Sequence, residues 1–222
     1  MRKALCSVGA GPHAALLAVS EPTFRAYAER HGYELLTSTA APSARPPAWA
    51  KVPLLREALD RFDLVLWIDA DAVIVDAGRD IADELDGDRA LALVQHRHGD
   101  AAIPNTGVML LRSGELCRSL LDDMWAAKRY VHHPWWENAA LLDALGYDVP
   151  RFSRMERLLR RRSQPCRPAR PSRYRDATQF LPGEWNWSYL DRAPNPRIVH
   201  CLGVPVEQRL RDMRAAIEGR LR

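Results

Sequence analysis

Two aspartates, Asp69 and Asp71, stand one residue apart at the end of the apolar run Leu64-Val65-Leu66-Trp67-Ile68. In extended backbone, residues i and i+2 point to the same side, so both carboxylates can reach one cation. Two like charges at the carboxyl end of a buried strand are costly without a counter-ion. Far down the chain, the short run Arg197-Ile198-Val199 ends in His200. Asp69, Asp71 and His200 would together offer two carboxylate oxygens and one imidazole nitrogen, with positions left open for phosphate. That mixture suits Mn²⁺ better than Ca²⁺, and Mg²⁺ is admissible.

Other chemistry-bearing residues carry two readings each. Lys51 lies near the start of a helix that precedes the acidic strand; it is either solvated surface or part of the same site. His96 and His98 alternate in a polar stretch and could bind metal or be exposed loop histidines. Asn105 and Thr106, in Pro104-Asn105-Thr106-Gly107, could hydrogen-bond a polar ligand, or Asn105 could brace its own turn. Glu137 and Asn138 fall at a helix start, where capping competes with function. Trp135 and Trp136 could form a sugar platform or fill the core.

The elements that must position these groups alternate between strand and helix. The patterning predicts strands at 4–8, 33–37, 64–68 (the apolar run resuming at 73–75), 90–94, 108–112, 147–152 and 197–200. It predicts helices at 13–32, 49–59, 114–128 and 139–145, a short one near Ile81, and a C-terminal helix at 206–222. Pro22 marks a start or a break in the first helix. Asp69-Ala70-Asp71 is expected in extended backbone, residues 95–102 as a polar loop, and Pro104–Gly107 as a tight turn entering a central strand. The Gly9–Pro12 loop could approach a phosphate but lacks a full dinucleotide fingerprint. Buried strands between helices indicate an α/β fold with the site at the strand ends.

The chain has 222 residues and a formal charge of +4, enough for one large domain with a real core. The modest basic excess suits an anionic small molecule and does not call for nucleic acid. Four scattered cysteines, Cys6, Cys117, Cys166 and Cys201, form no CxxC pair, so a structural zinc site is not expected and free thiols are. No apolar stretch approaches a membrane span or a secretory signal, and a cytoplasmic protein is the expectation. Residues 153–177, rich in arginine and proline, are either a lid that closes over a diphosphate or a solvated basic linker.

The order of motifs resembles the GT-A glycosyltransferases. More narrowly, it resembles the family of fungal galactosyl- and mannosyltransferases and plant xyloglucan xylosyltransferases, the GMA12/MNN10 type. The likeness runs through TFRAYAERHGYELL (23–36), WAKVPLLREAL (49–59), DLVLWIDADAVIVD (63–76), PNTGVMLLR (104–112), WWENAALLDAL (135–145), LPGEWNW (181–187) and IVHCLG (198–203). It implies a single GT-A domain over 1–222, with a mixed central sheet flanked by helices. The nucleotide half would be about 1–100 and the sugar and acceptor half about 101–205.

The resemblance implies an enzyme that moves a hexose or pentose, with retention of configuration, from a nucleotide-diphosphate sugar to a hydroxylated acceptor. A UDP-sugar is the first expectation for the donor. A small saccharide, a natural product or a glycan precursor is expected as acceptor, and a homodimer is left open. Asp69, Asp71 and His200 would hold Mn²⁺ or Mg²⁺ against the diphosphate, with Ala70 between them. Lys51 would lie near the donor, Asn105 and Gly107 would shape the pocket floor, and Glu137 and Asn138 would stand beside the transferred sugar. Asn138 replaces the family's usual glutamine. After Gly203 the family carries a phosphate-binding lysine where this chain has Val204 and Pro205; either Arg209 or the arginine-rich segment supplies that charge, or the contact is absent. Rival readings are a different metal-dependent phosphoryl or nucleotidyl transferase and a non-catalytic nucleotide-sugar-binding homologue.

Overall fold

A strand buried on both faces must alternate its apolar residues between two cores, and the central strands do so. The computed structural model describes residues 1–40, 44–98, 101–150 and 166–221. Strand β1 (Lys3–Val8) lies between β2 (Tyr33–Ser38) and β3 (Leu64–Ile68), parallel to both. Strand β6 (Ala101–Arg112) continues the sheet antiparallel to β3, followed by β5 (Leu91–His98) antiparallel to β6 and β7 (Thr178–Leu181) parallel to β5. The sheet is therefore mixed, in the order β2-β1-β3-β6-β5-β7.

Helices cover both faces. On one side Leu64, Leu66 and Ile68 pack with Leu16 and Phe24 of α1 (Ala14–His31) and Met213 of α6 (Val206–Ile217). On the other, Val65 and Trp67 pack with Leu55 of α2 (Lys51–Arg61), Leu121 of α3 (Glu115–Ala126) and Leu141 of α4 (Trp136–Ala144). A one-turn helix, α5 (Arg173–Asp176), precedes β7. A separate two-stranded ribbon pairs β4 (Ala72–Ile74) antiparallel with β8 (Ile198–His200).

Several local expectations are corrected. Pro22 neither starts nor breaks α1; it sits inside the helix, and both it and Ala18, four residues earlier, are exposed, so the hydrogen bond that proline cannot make is lost on the solvent side. Asp69-Ala70-Asp71 is a turn, closed by the Ala72 N–H donating to the Asp69 carbonyl at 3.0 Å, and the chain re-enters extended structure only at β4. Most of the polar stretch at 95–102 belongs to β5 and β6, which pair as far as His98 and Ala101. Pro104–Gly107 is a register jump inside β6: Leu93 faces Met109 while Val94 faces Asn105, so residues 106–108 are extra. Turn-forming residues are used here to make a bulge instead of a chain reversal. The expected strand at 147–152 reduces, among described residues, to a single bridge between Tyr147 and Pro168.

Residues 153–165 of the arginine-rich segment lie outside the described residues. Its described remainder is tied to neighbouring helices: Arg170 pairs with Asp143 at 2.7 Å, and the Tyr174 hydroxyl hydrogen-bonds Asp123. All four cysteines are buried free thiols. No helix among the described residues is long and apolar enough to cross a membrane.

Candidate metal centre

The turn after β3 and the end of β8 meet because the ribbon sets Ala72 opposite His200. The Cys201 N–H then donates to the Asp71 carbonyl at 2.9 Å and fixes the approach. Ligand atoms of Asp69, Asp71 and His200 all lie within 4.8 Å of one another. His200 Nε2 is 3.2 Å from Asp71 Oδ1 and 3.8 Å from Asp69 Oδ2. The remaining oxygens are engaged elsewhere. Asp69 Oδ1 accepts from Trp67 Nε1 at 2.6 Å and meets Lys51 Nζ at 2.9 Å; Asp71 Oδ2 accepts from Arg209 Nη1 at 2.8 Å. One oxygen of each carboxylate is left facing the imidazole.

The protonation of that imidazole follows from a chain of hydrogen bonds. The backbone N–H of Gly107 donates to the Asn105 side chain at 2.8 Å, which must therefore present its oxygen. The same oxygen accepts from Asn186 Nδ2 at 3.0 Å. Asn186 is thus turned with its own oxygen toward His200 Nδ1, at 3.0 Å. Nδ1 carries a hydrogen, so Nε2 is the ring nitrogen available as a ligand beside the two carboxylates. At 3.2 Å, Nε2 and Asp71 Oδ1 need a positive centre between them, either a proton on the ring or a cation in its place. A divalent cation with mixed oxygen and nitrogen preference fits this donor set, and a carbonyl behind a ligating histidine is the usual orienting arrangement.

Burial is deepest on the Lys51 side. Lys51 is 2% exposed, so the surface reading is excluded. Its ammonium meets Asp69 Oδ1 at 2.9 Å, Glu137 Oε1 at 2.8 Å and the Thr106 carbonyl at 3.1 Å. Three donors meet three acceptors. Burial alone would lower its pKa, but Asp69 and Glu137 overcome that and hold it above the ordinary lysine value. For Asp71, burial works upward, while His200 and Arg209 hold the carboxyl well below the usual range.

Glu137 and Asn138 do not cap α4, which has no side-chain cap. Glu137 is buried, and burial pushes its pKa up despite Lys51. Its Oε1 also accepts from the Thr106 hydroxyl at 3.1 Å, while Oε2 is buried without a partner. Asn138 Oδ1 accepts from the Thr106 N–H at 2.9 Å. Thr106 is thereby taken up within the protein, and the bulge in β6 is pinned between α2 and α4. Trp136, just before Glu137, has φ 42°, left-handed backbone that a bulky residue seldom adopts. Such a conformation costs about 1–3 kcal/mol.

These groups line one cavity of about 560 Å³. Lys51, Asp69, Ala70, Asp71, Asn105, Glu137, Asn138, His200, Gly203 and Arg209 all border it, as do Ala10 and His13 from the first loop. Gly107 lies directly behind His200: a Cβ there would fall 2.3 Å from its Nδ1. Gly203 has φ 79°, which a side chain would strain. His96 joins no metal cluster among the described residues; its Nε2 meets the Asn186 backbone carbonyl at 2.7 Å, and burial lowers its pKa to about 4. The side chain of His98 lies outside what is described. The residues missed from sequence are Asn186 and Trp67. Asn186, fully buried, was legible only as a polar residue within the aromatic stretch 180–187.

A mixed sheet in this strand order with helices on both faces has known counterparts. The fold is GT-A. It resembles a glycosyltransferase involved in glycosylation of the major capsid of PBCV-1, with TM-score 0.67 and 13% identity over 96% of this chain and 99% of that one. It also resembles the galactosyltransferase LgtC in complex with donor and acceptor sugar analogs, with TM-score 0.53 and 12% identity over 90% of this chain and 87% of that one. The glycosyltransferase GlyE of Streptococcus pneumoniae TIGR4 aligns with TM-score 0.55 and 14% identity over 99% of this chain and 63% of that one. At such identities the likeness is one of fold. The sequence profile of the galactosyl transferase GMA12/MNN10 family matches residues 24–92, which include Asp69 and Asp71 but not His200. Comparison with curated protein sequences gives no match.

Proposed function

We propose that this protein is a divalent-metal-dependent glycosyltransferase of the GMA12/MNN10 type. It would move a hexose or pentose from a nucleotide-diphosphate sugar, with UDP favoured, to an acceptor hydroxyl with retention of configuration. The observation that carries this reading is the set of three inward-facing ligand atoms, Asp69 Oδ2, Asp71 Oδ1 and His200 Nε2, at the strand ends of a GT-A fold. These residues would hold Mn²⁺ or Mg²⁺, which supplies Lewis-acid neutralisation of the leaving diphosphate.

The chain's own groups have distinct tasks. Asn186 and Asn105 hold the imidazole in the tautomer that leaves Nε2 free. Arg209, the guanidinium at the metal turn, stands in for the family lysine by binding phosphate oxygens in fork geometry. Lys51 has no donor to spare for phosphate; it keeps Asp69 and Glu137 in place. Glu137 and Asn138, which both border the cavity, stand beside the transferred sugar. Asn105 and Gly107 form the floor. The nucleotide half is placed at about 1–100 and the acceptor half at about 101–205.

Thermal-shift titration tests the reading. UDP or a UDP-sugar should raise the melting temperature in Mn²⁺, since a ligand bound to the folded state stabilises it. The shift should vanish in Asp71→Ala. If no UDP- or GDP-containing ligand shifts the protein in Mn²⁺, the transferase reading fails. Nucleotide binding without transfer or donor hydrolysis would favour the non-catalytic homologue instead.

A further inference from the structure

The cavity changes character from its floor to its rim. At the floor are the ionic groups, Lys51, Asp69, Asp71, Glu137 and His200. At the rim are Trp136 and Leu190, 44% and 50% exposed. Among the described residues the other exposed large apolar side chains are Met1, Phe180 and Ile217, and none borders this cavity. Trp136 is also held at φ 42°. Burial does not explain that conformation, because the indole is not drawn into the core. The same backbone turn leads into Glu137, whose Oε2 has no partner. A molecule lying on the indole therefore shares one cavity with the ionic floor.

We propose that Trp136 and Leu190 form the acceptor subsite and select acceptors that present a flat apolar face. An indole at a water boundary stacks on such faces. The face could belong to the C–H side of a pyranose or to an aromatic aglycone. This proposal deepens the transferase reading and rests on it for the identity of the bound group as acceptor.

The test uses the full chain with Mn²⁺ and UDP present. The probes are phenyl and methyl β-D-glucopyranosides and β-D-galactopyranosides, titrated by calorimetry. Trp136→Gly removes the indole and adopts φ 42° without strain, which offsets part of the buried surface it gives up, and its melting temperature reports the fold separately from binding. Trp136→Phe restores a ring. Trp136→Gly should weaken glycoside binding about tenfold, Trp136→Phe should recover most of it, and UDP affinity should be equal in all three proteins. A loss confined to the phenyl glycosides assigns the subsite to an aromatic aglycone; a loss in methyl and phenyl glycosides alike assigns it to the pyranose face. Equal glycoside affinity in wild type and Trp136→Gly, or no glycoside binding by a wild type that binds UDP, overturns the proposal. Failure of the wild type to bind either UDP or GDP in Mn²⁺ overturns the transferase reading itself.

Discussion

A Cβ on Gly107 would lie 2.2 Å from Cε1 of His200, so the backbone of β6 and the imidazole are packed with no space for a methyl group. Gly107→Ala should push the ring away from the two aspartates. We expect Mn²⁺ affinity to fall about 10- to 100-fold, the scale seen when a ligating histidine loses its orientation. Electron paramagnetic resonance of free Mn²⁺ reads this directly. Unchanged affinity would mean that His200 is not a ligand.

The Asn186 side chain orients the same ring from the other nitrogen. Asn186→Ala frees both tautomers and leaves Nδ1 and Asn105 without this partner. Mn²⁺ binding should weaken about tenfold or more, and stability should drop by about 1–3 kcal/mol. Calorimetric Mn²⁺ titration and urea unfolding separate the two effects. Stability lost with full metal affinity would reduce Asn186 to a core residue.

Lys51→Met is expected to destabilise the fold by about 3–5 kcal/mol, because it leaves the Glu137 carboxylate buried without its cation. Lys51→Met combined with Glu137→Gln should recover part of that loss, since the second change removes the orphaned charge. A double-mutant cycle by urea unfolding gives the coupling. Simple additivity would count against a coupled ion pair.

Asp80 provides a pH test away from the metal centre. Its carboxylate meets Lys3 Nζ at 2.6 Å, the Tyr33 hydroxyl at 2.6 Å and the Tyr27 hydroxyl at 3.3 Å, joining β1, β2 and α1. Burial pushes its pKa up, but Lys3 and Tyr33 outweigh it and hold the carboxyl below the usual aspartate range. The folded state therefore releases this proton more readily than the unfolded chain. The contribution is full above the unfolded value and is lost as pH falls through the folded one. Asp80→Asn should lower the melting temperature at pH 7, with the gap to the wild type closing below about pH 4. A constant gap down to pH 2 would contradict the assigned ionisation.

The sequence made some of this arrangement legible and hid the rest for physical reasons. The unbroken apolar run before Asp69 identified β3, because a strand buried on both faces needs apolar residues at every position. Asp69, Asp71 and His200 were legible as metal ligands by type. The turn at Asp69–Asp71 was not, since two carboxylates can converge from a turn as readily as from extended chain once β8 supplies the third wall. Lys51 was legible as a site candidate but not as a buried residue, because its burial depends on Asp69 and on Glu137, from a helix more than 80 residues away. Asn186 had no local mark because its role exists only in the chain from Gly107 to His200. The bulge in β6 was masked by residues that equally favour a turn.

The pairing of β4 with β8 also has a consequence for the order in which the protein comes into being. Strand β4 leaves the ribosome more than 120 residues ahead of its partner, which begins at Ile198. Until that partner is made, the acidic turn has neither His200 nor Arg209 near it. The large sheet, except its edge strand β7, has all its described strands once β6 is made. The three-ligand cluster assembles only when β8 folds back onto β4, after the scaffold that must contain it.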